Sequence, residues 1–167
     1  FVWNEWSLYP TFNINYAPAP GNVWQLSLSS DKSYPDYWAT QDAVSYMGGG
    51  YSEIHGNPYL KPEINYQLQL TYVLNSKYMF NAWYSHTKDN ATQTLYQSPE
   101  RLVEIYKYFN FDFEQQAGVQ AVVPFAIGRW LKSRFTLTGV YDRQKDSDFW
   151  DIPFDRKAYY AMLSMNH

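Results

Sequence analysis

The sequence contains no cysteine. Disulfide bridges, thiol catalysis and cysteine metal sites are therefore excluded. It also lacks any run close to the roughly 20 apolar residues that a membrane-spanning helix needs. Basic residues form no cluster in the sequence, and the net charge is -3. We therefore expect no nucleic acid as a partner.

Aromatic residues are abundant. They make up 20% of the 167 residues, and 17 of them are tyrosines. The mean hydropathy is nevertheless low, at -0.53. Many aromatic residues mixed with Asn, Gln, Ser and Thr are typical of β-strands that have one apolar and one polar face. The length allows one domain-sized unit.

The clearest pattern lies between residues 64 and 84. Apolar and polar residues alternate over 64–74 and, after the short turn 75–77, over 78–84. Such alternation predicts strands with two different faces. Matching the apolar positions across the turn predicts an antiparallel hairpin. The predicted pairs are Leu74 with Tyr78, Tyr72 with Phe80, Leu70 with Ala82 and Leu68 with Tyr84.

Two further hairpins show the same alternation. The first joins a strand within residues 6–16, interrupted by Pro10, to a strand at 24–28. The second joins strands at 111–123 and 135–141 through a turn at 124–132, and a last strand is predicted at about 158–165. In the first hairpin the predicted pairs are Tyr16 with Trp24, Ile14 with Leu26 and Phe12 with Leu28.

Residues 98–109 allow two interpretations. Ser98 and Pro99 resemble a helix start, and Leu102, Ile105, Tyr106 and Phe109 would then form one helical stripe. Against this, Val103, Ile105 and the tyrosines favour a strand. Both interpretations remain open on the sequence alone.

The connections alternate in length. Those within hairpins are short, whereas the segments between hairpins are long, at 30–63, 86–110 and 142–157. An all-β, antiparallel up-and-down meander of about seven to nine strands would place all long loops at one end, as in a transmembrane β-barrel. A soluble β-sandwich also has alternating strands. Periodicity does not separate these two folds.

Residues 57–63 read Asn-Pro-Tyr-Leu-Lys-Pro-Glu, follow Gly56 and precede an alternating strand. This segment resembles the N-P-x-L-K-P-E signature of TonB-dependent outer-membrane receptors, in which it marks the return from an external loop into a barrel strand. Residues 9–16 and 24–38 are also similar to strands and a loop of that family's outer-membrane β-barrel branch. The resemblance covers about residues 6–90.

The resemblance implies a segment of a large, plugged transmembrane β-barrel located in the cell outer membrane and surrounded by its lipid. It also implies uptake of an unidentified nutrient, powered by an energy-transducing inner-membrane complex that engages the family's N-terminal part. The chain starts at Phe1, ends at His167, and shows neither the family's plug domain nor a barrel-closing strand. We therefore expect residues 1–167 to be a single barrel segment of a longer protein.

The signature residues are expected to form a structural corner, since two prolines restrict the backbone to extended conformations. They are Asn57, Pro58, Leu60, Lys61, Pro62 and Glu63. A second set, of loop aromatic residues, comprises the candidate ligand contacts. It consists of Tyr34, Tyr37, Trp38 and Tyr51.

Catalytic and metal sites find little support. His55 near Glu53 is half of a metal site at most, and five aspartates within 142–155 lack the spacing of a calcium-binding EF-hand. No nucleophile elbow or phosphate-binding loop is present. The sequence therefore predicts no enzyme, no cofactor and no metal. The alternative function is a soluble domain that stacks sugar rings on the four loop aromatic residues.

Overall fold

The computed structural model describes residues 6–128 and 131–166. Nine strands in this part of the chain form one sheet, together with two short 3₁₀ helices, Tyr37–Thr40 and Gly48–Gly50. None of its helices has the length and hydropathy needed to cross a membrane. The strands are β1 (Phe12–Ala19), β2 (Asn22–Ser33), β3 (Val44–Met47), β4 (Ser52–His55), β5 (Glu63–Leu74), β6 (Tyr78–Gln97), β7 (Glu104–Ile127), β8 (Leu131–Phe149) and β9 (Ile152–Asn166).

Seven of these strands form the predicted antiparallel meander. Their order is β1-β2-β5-β6-β7-β8-β9, and each neighbouring pair is antiparallel. The register predicted for β1–β2 and for β5–β6 is confirmed at every pair, because a one-residue slip would turn the apolar residues to the other face. Within the described residues β1 pairs only with β2 and β9 only with β8, so the sheet is open.

The two faces of the meander differ as the alternation predicts. On the apolar face, large side chains are exposed in matching positions of successive strands. On the polar face, side chains bond across the sheet: Thr71 donates to Asn81 (2.8 Å), Asn81 to Gln120 (3.3 Å), and Gln120 to Thr138 (3.2 Å). The exposed residues of the apolar face include Ile14, Trp24, Leu68, Leu70, Phe80, Val119, Leu137 and Leu163.

Several predicted boundaries are wrong, because the strands run further than the clean alternation. The turn predicted at 124–132 is strand up to Ile127 and again from Leu131; its residues 129–130 lie outside the described part. The loop predicted at 142–155 is strand except at a tip of two residues, 150–151. Residues 6–11 precede β1 instead of belonging to it, and Pro10 has no N–H to donate to a ladder.

The loop end of the sheet also differs from expectation. Of residues 98–109, those from Glu104 onward are strand and the preceding ones a short loop, so the helical interpretation is wrong. The long segment 30–63 contains β3 and β4, which the sequence did not reveal. They form a hairpin, and β4 pairs in parallel with residues 104–107 of β7. Several of the most deeply buried residues, Ala39, Glu53, Asn57 and Leu60, lie in this segment.

Candidate functional site

The first half of the signature is held by Asn57. Its backbone N–H donates to the carbonyl of Ala39 (2.6 Å), and its side-chain amide donates to the carbonyl of Tyr108 on β7 (2.8 Å). Its side-chain oxygen accepts the N–H of Tyr59 (3.1 Å), and its carbonyl accepts the N–H of Leu60 (3.2 Å). Asn57 thus closes a tight turn and attaches it to the sheet.

The second half of the signature is held by Asn110 on β7. Its side-chain oxygen accepts the N–H of Lys61 (2.7 Å), while its amide donates to the carbonyls of Lys61 (3.0 Å) and Asp89 (2.6 Å). The carboxylate of Glu63 accepts the N–H of Ala91 on β6 (3.1 Å). Sequence reasoning missed Asn110, since it fell in the connecting segment 86–110 and its partner Lys61 is 49 residues away.

Packing completes the corner. Leu60 is only 2% exposed, and Pro62 is also buried, whereas Lys61 between them faces solvent. Gly56 lies so close to the next segment that a Cβ atom would come well under 3.0 Å from the carbonyl of Gln41. A side chain at position 56 would therefore push the signature away from the loop it packs against.

A buried carboxylate joins the two outer loops. Glu53 on β4, 3% exposed, binds Arg101 of the β6–β7 loop through both oxygens (2.9 and 3.3 Å) and His55 Nε2 (2.8 Å). The hydrogen bonds from His55 and Arg101 hold the pKa of Glu53 below its ordinary value. Sequence reasoning paired His55 with Glu53 but missed Arg101, which is 48 residues away.

The loop aromatic residues do not form one group. Tyr37 and Trp38 share a 3₁₀ helix, where Tyr37 is 81% exposed and Trp38 meets Tyr108 edge-to-face, with ring centroids 5.7 Å apart. Tyr34 lies under the ammonium of Lys32 (5.4 Å). Tyr51 is exposed beside β4, and its carbonyl accepts the N–H of Glu104 (2.9 Å).

A cleft of about 200 Å³ brings part of both predicted sets together. It is lined by Tyr34, Leu60, Lys61, Glu63 and Tyr108, among others. Aromatic and charged residues thus border the same cleft. Tyr37, Trp38 and Tyr51 do not line it.

Several of the weak metal candidates bind other groups. Arg101 binds both oxygens of Glu53, and Arg143 binds Asp155 (2.9 and 2.8 Å). Asp146 accepts the N–H of Asp148 (3.3 Å). Across residues 6–128 and 131–166, no group of three or more His, Asp or Glu side chains is arranged to hold a metal ion.

A known protein family matches nearly the whole chain. The model of the outer membrane protein beta-barrel family matches residues 2–167. The chain belongs to this family. A member of it lies in the cell outer membrane, so the soluble alternative is set aside. No curated protein matches the chain.

Two solved receptors have a similar fold. The siderophore receptor PirA from Pseudomonas aeruginosa matches 94% of this chain and 35% of its own, with a TM-score of 0.61 and 10% identity. The ferric enterobactin receptor PfeA, crystallised with BCV-L6, matches 90% of this chain and 27% of its own, with a TM-score of 0.53 and 13% identity. The family member described here thus spans about a third or less of these receptors.

Proposed function

We propose that this chain forms part of the barrel wall and external loops of a TonB-dependent receptor that takes up a nutrient across the outer membrane. The observation that carries the proposal is the seven-strand meander with its opposite faces. The apolar face suits lipid, and the hydrogen-bonded polar face suits a lumen. Its similarity to two receptor barrels adds the class of protein.

In this proposal the signature is a structural corner. Asn57, Pro58, Leu60, Lys61, Pro62 and Glu63 fix the point at which the external loop returns to β5, mainly through bonds to Tyr108, Asn110 and Ala91. The corner anchors the base of the loop that carries the aromatic residues. No residue of this chain is assigned a catalytic role, a cofactor or a metal.

The exposed loop aromatic residues are the proposed ligand contacts. Tyr34, Tyr37, Trp38 and Tyr51 all lie at the loop end, on the external side of a barrel of this kind. Aromatic rings supply large contact areas with little loss of side-chain freedom. Energy for import would come from an inner-membrane complex acting on the rest of the longer protein.

The test uses cells that carry the full-length protein. Uptake of radioactive iron from ferric siderophores, beginning with ferric enterobactin, is compared between a deletion strain and the same strain with the gene restored. We expect restored uptake that disappears when a protonophore collapses the inner-membrane gradient. Equal uptake by both strains, for these chelates and for a panel of vitamins and oligosaccharides, would contradict the proposal.

A matched pair of variants tests the loop contacts. Tyr37→Ala removes an exposed ring at the loop end of the sheet. Lys132→Gln changes an exposed residue at the start of β8, near the short turns. We expect Tyr37→Ala to raise the concentration needed for half-maximal uptake several-fold and Lys132→Gln to leave it unchanged. Normal uptake by Tyr37→Ala would remove this ring from the ligand contacts without affecting the barrel proposal.

A further inference from the structure

On β8 and β9 the apolar face becomes charged toward the loop end, beyond a pair of tyrosines. Tyr141 and Tyr159 are cross-strand partners there, with ring centroids 4.9 Å apart. Arg143 pairs with Lys157 one step nearer the loop end, and Lys145 pairs with Asp155 one step further. We call Arg143, Lys145 and Lys157 the basic patch.

The alternation places the basic patch on the lipid side of the sheet. Residues 137, 139, 141, 143 and 145 of β8 share one parity, which begins with the exposed Leu137. Tyr159 is 77% exposed, and Lys157 and Asp155 are exposed as well. Two residues of a strand span about 7 Å, so the first cations lie one such step beyond the tyrosine rings.

The charge of this patch is not balanced within the described residues. Asp155 is the carboxylate on this face, and Arg143 binds both of its oxygens (2.9 and 2.8 Å). Lys145 and Lys157 act on the same carboxylate electrostatically. Three cations thus surround one anion, which leaves an excess of about two positive charges at neutral pH.

The position relative to the membrane follows from the tyrosines. Aromatic rings of outer-membrane barrels lie at the two membrane interfaces, and the long loops lie outside. Tyr141 and Tyr159 therefore mark the external interface, and the basic patch lies at the level of the lipid headgroups. Because strands in a barrel are tilted, we compare depths only between these two adjacent strands.

The surface on the membrane side of the tyrosines is concave. A groove of about 510 Å³ runs over this part of the apolar face and is lined by Val119, Leu137, Gly139 and Ala161, among others. A Cβ atom at Gly139 would meet only Val119, at an ordinary 3.8 Å. The absence of a side chain here is therefore not required by internal packing, and it leaves room for a hydrocarbon chain.

We propose that the basic patch binds the phosphate of an anionic lipid in the external leaflet, with an acyl chain of that lipid lying in the groove below. Guanidinium and ammonium groups are the preferred protein ligands of phosphate. The continuity of cations, tyrosine rings and apolar groove fits a molecule with a charged head and an apolar tail. The inference depends on the barrel fold and not on the imported nutrient.

The test uses the full-length protein purified in a neutral detergent. Native mass spectrometry measures the binding of dioleoyl phosphatidic acid, with dioleoyl phosphatidylcholine as the lipid without net charge. The Lys145→Gln/Lys157→Gln variant removes two charges from the patch. The control, Lys77→Gln/Lys132→Gln, removes two exposed charges near the short turns. Each lysine near a charged lipid surface contributes about fivefold to affinity.

We expect the patch variant to bind phosphatidic acid about 30-fold more weakly than the wild type and the control to bind it normally. Asp155→Asn should strengthen binding, because it releases Arg143 and removes the carboxylate that the basic patch surrounds. A misfolded variant cannot produce that gain. Equal binding by the patch variant, equal losses in both variants, or full displacement by inorganic phosphate at constant ionic strength would overturn the proposal.

Discussion

At the scale of single residues, the neighbours Tyr59 and Leu60 differ in burial in a way that the sequence pattern does not predict. Both are apolar residues in a loop, but Leu60 is 2% exposed and Tyr59 is 83% exposed. We expect Leu60→Ala to destabilise the corner by about 2–5 kcal/mol, because it leaves a cavity in a packed site. Tyr59→Ala should change little. Hydrogen exchange of residues 57–63 measures both, and equal exchange in the two variants would contradict this.

Two strand glycines make a second matched pair. A Cβ atom at Gly118 would fall within the ring of Trp83, well under 3.0 Å, whereas one at Gly139, on the other face, would only meet Val119 at an ordinary 3.8 Å. We expect Gly118→Ala to cost about 1–3 kcal/mol through overpacking, and Gly139→Ala to be neutral or slightly stabilising. Urea unfolding of the full-length protein in micelles compares them. A more damaging change at Gly139 than at Gly118 would show that the ring of Trp83 lies elsewhere.

At the scale of elements, the turns explain which boundaries were predictable. Asn75 and Ser76, with φ of 52° and 51°, lie in the three-residue turn 75–77, and Asn tolerates this left-handed backbone. Trp150 and Asp151 adopt the same backbone, with φ of 53° and 61°, although Trp is a poor residue for it. Stacking of Trp150 on Tyr96, with centroids 4.4 Å apart, fixes its position. A turn held by a residue 54 positions away leaves no local signal.

The β3–β4 hairpin depends in the same way on distant residues. Glu53 connects the hairpin to Arg101, and the pKa of Glu53 is lowered in the folded chain. The stabilisation from the ionised Glu53 is therefore complete at a pH above 4.5, the ordinary pKa of a glutamate. It is lost as the pH falls through the lowered pKa of the folded state. We expect hydrogen exchange of residues 52–55 and 98–103 to rise over that acidic range.

The Arg101→Ala variant should show the faster exchange already at neutral pH, because the buried carboxylate loses its bidentate partner. Arg134→Ala, an exposed residue near the short turns, is the control. Exchange that is the same for Arg101→Ala and the wild type at pH 7 would mean that the ion pair does not hold the two loops together.

At the scale of the whole molecule, the period of two was sufficient for the two-faced strands and for the register of the β1–β2 and β5–β6 hairpins. In a two-faced strand the polarity of each residue indicates the face on which it lies. Neighbouring residues therefore give the same information several times over, without reference to distant parts of the chain. The β3–β4 hairpin and the corner contain four-residue strands, buried polar groups and bonds to β6 and β7. The side-chain hydrogen bonds that attach the corner and Glu53 join residues 28 to 51 positions apart in the chain, and composition carries no information about such pairs.

The orientation of the whole sheet in the membrane can be tested residue by residue, because these 167 residues contain no cysteine that would compete with an introduced one. Single cysteines at positions 67–70 of β5, each carrying a nitroxide label in the full-length protein, are compared for collisions with oxygen and with a water-soluble nickel chelate. We expect labels at Leu68 and Leu70 to meet oxygen and those at Gln67 and Gln69 to avoid the lipid. A label at the exposed Tyr59 is the aqueous control. Equal oxygen access at all four positions would contradict the two-faced wall on which the proposed receptor depends.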